Sequence, residues 1–233
     1  MKTLHLAMDY VAAIKNEAVV LYFEGDGKVD LSIAGHVKLV EIIAENCTIE
    51  HTVLAEPGAK AEVLQFFMHG VHKFSHKITL GDEASCRTEA VFVRSSDTYI
   101  YDAQHIGKKS ESVYSAGGFL SEKCERKAQL SIEFSRGASG AVGYEHEDFM
   151  LLGDDCRYSC RPRILCKEED ADGRHGFTSG HIDAGEIKYL ESRGLSMQTI
   201  RDVLCMARIK PSIEKIPDEE LRKEIYDRIS HDK

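Results

Sequence analysis

A chain of 233 residues with 42% hydrophobic content is long enough to bury a sizeable core. Its net charge of −9 excludes nucleic acid and an anionic membrane as main partners, because both require clustered positive charge. No apolar run reaches spanning length, the first residues lack a signal-peptide pattern, and the seven cysteines lack small-domain spacing, so a cytoplasmic protein with reduced thiols is expected.

In chain order, Leu4, Ala7, Met8, Val11 and Ile14 recur at helical spacing and predict a short amphipathic helix within residues 1–16. From 17 to 171 the pattern is one of short strands. Residues 19–23 and 29–33 flank the turn Glu24-Gly25-Asp26-Gly27, and 37–43, 47–54, 61–68, 77–80, 88–93, 98–102, 129–134 and 140–152 follow, each bounded by Gly, Asp, Ser or Lys. The class is therefore mainly β: a sandwich, a barrel or a solenoid. No strict repeat chooses among these.

Residues 172–233 read as a helical region. Asp183-Ala184-Gly185-Glu186 is a capping-box pattern, and its helix carries Ile187 and Leu190 before stopping at Gly194. A second helix starts at Ser196 with Ile200, Val203, Leu204 and Ala207 on one side, and Pro211 bars its continuation. A third starts at Pro217-Asp218 and carries Leu221, Ile225 and Ile229. The apolar stripes either cover the open end of the β core or dock a partner. His175, beside Gly176, is expected in a tight turn ahead of the first helix.

The stretch 172–196 resembles the C-terminal signature of the SufB/SufD family of iron–sulfur cluster assembly scaffolds. His175-Gly176, Ile182-Asp183, Tyr189-Leu190 and Ser192-Arg193-Gly194 fall in register with it. Phe149-Met150-Leu151-Leu152-Gly153-Asp154 and Pro162 keep the family's spacing to the histidine, and the chain is much shorter than the usual bacterial members, implying that an N-terminal portion is missing. The resemblance implies a right-handed parallel β-helix core over 17–171, with the region 172–233 docking a SufC-like ABC-type ATPase through Ile187, Leu190, Ile200, Val203 and Leu204. It also implies a homodimer or a pair with a paralogue, a transiently held iron–sulfur cluster, and apo acceptor proteins downstream. The chain lacks a P-loop and so is not itself the ATPase.

For the cluster, the family's histidine falls on His175, and Glu147 stands where one paralogue has a cysteine; Gly173 stands where SufD-type members often have one. Cys160, just before Pro162, is the best remaining candidate for a reactive thiol, with His146 and His181 as secondary ligands. Cys156 and Cys166 are expected as buried hydrophobes, and Cys47, Cys86, Cys124 and Cys205 as structural. His69, His72 and His76 have metal-like spacing only if helical. The leading expectation is a non-enzymatic scaffold. The alternatives are a β-solenoid transferase using His175 as general base, or a metal-free interaction module.

Overall fold

Two kinds of strand alternate along the chain and sort into two sheets. The computed structural model describes residues 1–44, 46–121 and 123–231. One sheet contains β1 (Lys2–Leu6), β3 (Ala18–Phe23), β5 (His36–Ile43), β7 (Lys60–Phe67), β9 (Ser85–Val93), β11 (Glu111–Leu120), β13 (Ala141–Leu151) and β15 (Ala171–His181). The other contains β2 (Tyr10–Lys15), β4 (Gly27–Ala34), β6 (Cys47–Ala55), β8 (Gly70–Leu80), β10 (Ser95–His105), β12 (Glu125–Phe134) and β14 (Arg157–Cys166). Every strand pairs parallel with the strand two ahead of it, so the chain winds as a parallel β-helix of two sheets.

The coils lengthen along the chain: Lys2 lies beside Val19, His36 beside Lys60, and Glu111 beside Val142. A coil of changing length leaves no fixed period in the sequence. Asp and Asn side chains tie neighbouring turns together by accepting from backbone N–H groups of the next coil. Such bonds join Asp9 to Lys28 (2.8 Å), Asn16 to His36 (2.9 Å) and Asp82 to Lys108 (2.7 Å).

The two sheets differ because their outer faces differ. β6 alternates buried and exposed residues, since one face meets water. β3, β5 and β7 run almost continuously buried. Their outer residues Val20, Tyr22, Val40, Ile42, Leu64 and Phe66 lie under the C-terminal helices α2 (Met197–Ile213) and α3 (Glu219–His231). Cys205, Ile209, Ile213, Leu221, Ile225 and Ile229 supply the helical side of that cluster. The helices therefore cover the flank of the first sheet and not the open end of the β core. Tyr22 donates to Glu224 at 3.0 Å, and Ser212 and Lys215 reach Glu89 at 2.5 Å each.

Three local expectations are corrected. Residues 3–15 form β1 and β2, because in-register pairing with β3 and β4 supplies hydrogen bonds that a short isolated helix lacks. Met8 and Val11, which set the helical stripe, are 75% and 77% exposed. His175 lies in the middle of β15 and not in a turn, since β15 pairs with β13 along its whole length. Pro211 sits within α2, in its last turns, where a missing N–H costs one bond. The helix boundaries otherwise follow their caps. Asp183 accepts from Gly185 and Glu186 N–H to open α1 (Ala184–Ser192), and Gly194, at φ +87°, closes it with a Leu195 N–H to Leu190 carbonyl bond. Ser196 caps α2. Among the described residues no helix is long and apolar enough to cross a membrane.

Candidate functional site at the open coil

In-register parallel strands stack paired residues on the same face, about 4.8 Å apart. The coil interior is therefore a set of columns. One runs Val19, Leu39, Val63, Thr88, Tyr114, Glu145, His175. A second runs Leu21, Glu41, Gln65, Ala90, Ala116, Glu147, Phe177. From the other sheet, Phe74, Tyr99, Ala128 and Cys160 form a third, and His72, Asp97, Arg126 and Tyr158 a fourth. The first column turns polar toward the last coil, running from Val19, Leu39 and Val63 to Glu145 and His175.

No strand pairs beyond β14 and β15 among the described residues, so the interior opens there. Its inward positions are Tyr158, Cys160, Pro162, Ile164 and Cys166 on one side and Ala171, Gly173, His175, Phe177, Ser179 and His181 on the other. Tyr158 and Phe177 meet across the opening with ring centroids 6.4 Å apart. Phe177 is 56% exposed. Pro162 is tolerated because β14 is an edge strand.

Beneath this mouth lies a buried ion pair. Glu147 accepts from Arg126, from the Tyr114 hydroxyl (3.0 Å) and from the Tyr158 hydroxyl (2.8 Å). The Arg126 guanidinium rests on the Phe92 face at 3.8 Å and on Phe149 at 4.7 Å. Burial works against its charge, but Glu147 and the other acidic partners hold it firmly protonated. Both Glu147 oxygens thus have strong donors, so its carboxylate is a support for the site's floor. The open carboxyl is its neighbour Glu145, whose two oxygens are fully buried without a hydrogen-bond partner. Burial, then Glu147 and Asp102, push the Glu145 carboxyl up to about 8. It sits one strand below His175 in the same column. Cys160, half-buried, is pushed up to about 12 by burial and by Glu147, so its thiol is protonated at neutral pH.

The structure therefore brings Cys160 and His175 to one opening above Glu145 and Glu147. It does not bring His146, which lies on the outer face stacked on Tyr144 (6.2 Å) and next to Gly176. His181 ends β15 beside Leu151, at the exposed rim. Cys166 is exposed, contrary to expectation, and Cys156 is half-buried with its thiol directed to the Leu120 and Ser121 carbonyls. His69 is exposed while His72 and His76 are buried in the interior, four residues apart on an extended strand, so the three do not converge. No group of three or more His, Cys, Asp or Glu among the described residues forms a ready metal cage. Sequence reasoning missed Arg126, Tyr114 and Tyr158, and met Glu145 only as a neighbour of His146. The only available signal was their shared inward parity, which needs the register.

Of the surfaces expected to dock a partner, Ile200 is fully buried against the fold. Ile187, Leu190 and Leu204 are half-buried, and Val203 is 53% exposed. α1 has no buried residue, and Tyr189 on it is 58% exposed.

Comparison with known proteins agrees with this layout. A family model for the SufBD core domain of the SUF system of FeS cluster assembly matches residues 79–208, which span both the mouth and the start of the helical flank. The iron–sulfur cluster assembly protein SufD of Bacillus subtilis is 24% identical over 148 residues, 62% of this chain and 34% of that protein. SufD of Escherichia coli is 30% identical over 80 residues, 34% of this chain and 19% of that protein. The aligned part thus spans about a third or less of these relatives. With more than half of its length matched, the chain belongs to the SufBD core domain family.

Proposed function

We propose that this chain is a non-enzymatic scaffold on which an iron–sulfur cluster is assembled as transient cargo and passed to apo acceptor proteins. The observation that carries the reading is the open terminal coil, where an imidazole (His175) and a thiol (Cys160) face one opening over an unpartnered carboxyl (Glu145). These are iron ligands of mixed softness, and a site with few thiolates holds a cluster loosely enough to release it. The Arg126–Glu147 pair, fixed by Tyr114 and Tyr158, forms the floor and not the ligand set. Ligation would displace the Cys160 proton, so cluster uptake rises with pH.

One chain offers too few ligands for a cluster, and a second copy or a paralogue meeting it at the open coil would complete the set. The half-exposed stripe of α1 and α2, with Tyr189, Leu190, Val203 and Leu204, suits docking of a SufC-like ABC ATPase. Anaerobic reconstitution with ferrous iron and sulfide tests the central claim. Visible charge-transfer absorption should appear with the unmodified chain and fall by more than half in His175→Ala and in Cys160→Ala. Full absorbance in both variants would move the site elsewhere. Leu190→Asp with Leu204→Asp should abolish co-purification with the ATPase while the circular dichroism of the β core is unchanged.

A further inference from the structure

Two turns outside the mouth carry stacked cysteines. Cys124 ends the connection from β11 to β12, and Cys156 ends the connection from β13 to β14, one coil above. The second turn is one residue longer than the first, and the two are tied to each other at both ends. Leu152 N–H donates to the Leu120 carbonyl at 2.9 Å, and Arg157 N–H donates to the Cys124 carbonyl at 3.0 Å. Glu125 pairs in register with Arg157, which places Cys124 and Cys156 directly above one another. Chains in this register run about 4.8 Å apart, inside the Cα separation of roughly 4.4–6.8 Å that a disulfide spans.

The sulfurs converge on one residue. Cys124 Sγ lies 3.3 Å from Ser121 Oγ, and the Cys156 thiol donates to the Ser121 carbonyl at 3.1 Å. Both cysteines are half-buried. Cys124 also lines a surface cavity of about 360 Å³ with Lys123, Glu125, Asp155 and Arg157. Glu125 is engaged by Lys127 (2.8 Å), and Asp155 accepts from the Lys123 backbone (3.2 Å). Lys123 and Arg157 place two cations beside Cys124, and Arg157 also faces the Glu125 carboxylate.

We propose that Cys124 and Cys156 are a redox-closing thiol pair, oxidised to a disulfide by exchange with a small-molecule disulfide of the glutathione type. Cys124, at the cavity, attacks one sulfur of that molecule and expels its first thiolate, leaving a mixed disulfide. Cys156 then attacks Cys124 Sγ and expels the second. Two cysteines are oxidised by two electrons, the small disulfide is reduced to two thiols, and the two cysteine protons go to the leaving thiolates. The new bond clamps the start of β14, which carries Tyr158 and Cys160, to the coil beneath. The inference stands on the two turns and not on the proposed cargo.

The full chain is incubated with oxidised glutathione, its remaining thiols are alkylated, and a non-reducing digest is analysed by mass spectrometry. A linked peptide pair containing Cys124 and Cys156, with a loss of about 2 Da in the intact mass, is expected. In Cys156→Ser the mixed disulfide on Cys124 should persist, raising the mass by about 305 Da, because the resolving thiol is gone. A lasting glutathione adduct on Cys124 in the unmodified chain, or a link from either cysteine to Cys160 or Cys166, would overturn the proposal. The unmodified chain decides this alone, so a poorly folding variant leaves the test intact.

Discussion

The middle coils and the terminal coil follow the same winding but carry opposite chemistry. In the middle, Phe67, Phe74 and Phe92 pack edge-on and stacked, with centroids 5.2 Å (Phe67–Phe74) and 4.3 Å (Phe67–Phe92) apart, and α2 and α3 seal the flank. At the terminal coil inward positions hold Tyr158, Cys160 and His175, and among the described residues no coil closes over them. The difference teaches that one continuous interior is packed and sealed in its middle and left open at its last coil. Polar groups also lie within the earlier and middle coils, where they pair with one another. Glu41, Gln65 and Tyr99 are hydrogen-bonded in sequence (2.8 and 2.7 Å), and His51 meets His76 at 3.0 Å.

The largest expected effect breaks the floor between the two regions. Arg126→Met strands Glu147 without its cation, and breaking a buried pair this way costs about 3–5 kcal/mol. A denaturant-unfolding curve with an unchanged midpoint would show that the pair is not buried as described. On the sealed flank, Ile209→Ala removes a fully packed side chain and should cost about 2–5 kcal/mol, while Phe177→Ala at the open coil should stay within about 0.5 kcal/mol. Equal losses would erase the contrast between sealed and open ends.

A pH series separates the interior polar groups. Burial pushes the Glu41 carboxyl up to about 8 and holds His51 down to about 3, so their 3.4 Å contact joins neutral groups. Glu41 keeps its proton in the folded chain but loses it in the unfolded chain above about 4.5. Its contribution is therefore present at low pH and lost as pH rises from about 4.5 through 8. His51 acts in the opposite sense: it stays neutral when folded, so stability falls as pH drops from about 6.5 toward 3. Glu41→Gln should reduce the fall in unfolding free energy between about pH 4.5 and 8, to which Glu145 and Asp97 also contribute, and leave the acid slope in place. An unchanged fall over that range would remove Glu41 from this account. The smallest stability effect is expected for His175→Ala, within about 0.5 kcal/mol, since the side chain is exposed. That separates its proposed ligand role from any role in folding.

How much was legible beforehand varies with the physics of each element. Strands with one wet face show their alternation, so residues 47–54 and 129–134 were readable. The stretch 111–120 was not, because Ser115, Gly117 and Gly118 dilute the apolar pattern where the chain meets its neighbours. Gly118, at φ +154°, leaves no room for a Cβ, which would stand 2.1 Å from the Phe92 carbonyl oxygen. Cap chemistry fixed α1 and α2 at Asp183, Gly194 and Ser196 because those bonds are local.

Sequence alone determined the mainly β class, the three C-terminal helices and their caps, and the candidacy of His175 and Cys160. Each rests on contacts within a few residues or on a motif read in place. Only the tertiary structure decided that residues 3–15 pair as strands, that the helices lie on the flank, and that Glu145 and not Glu147 has its oxygens open. Those outcomes depend on which residues stack across coils of unequal length, and with no constant repeat the register exists only once the chain has wound.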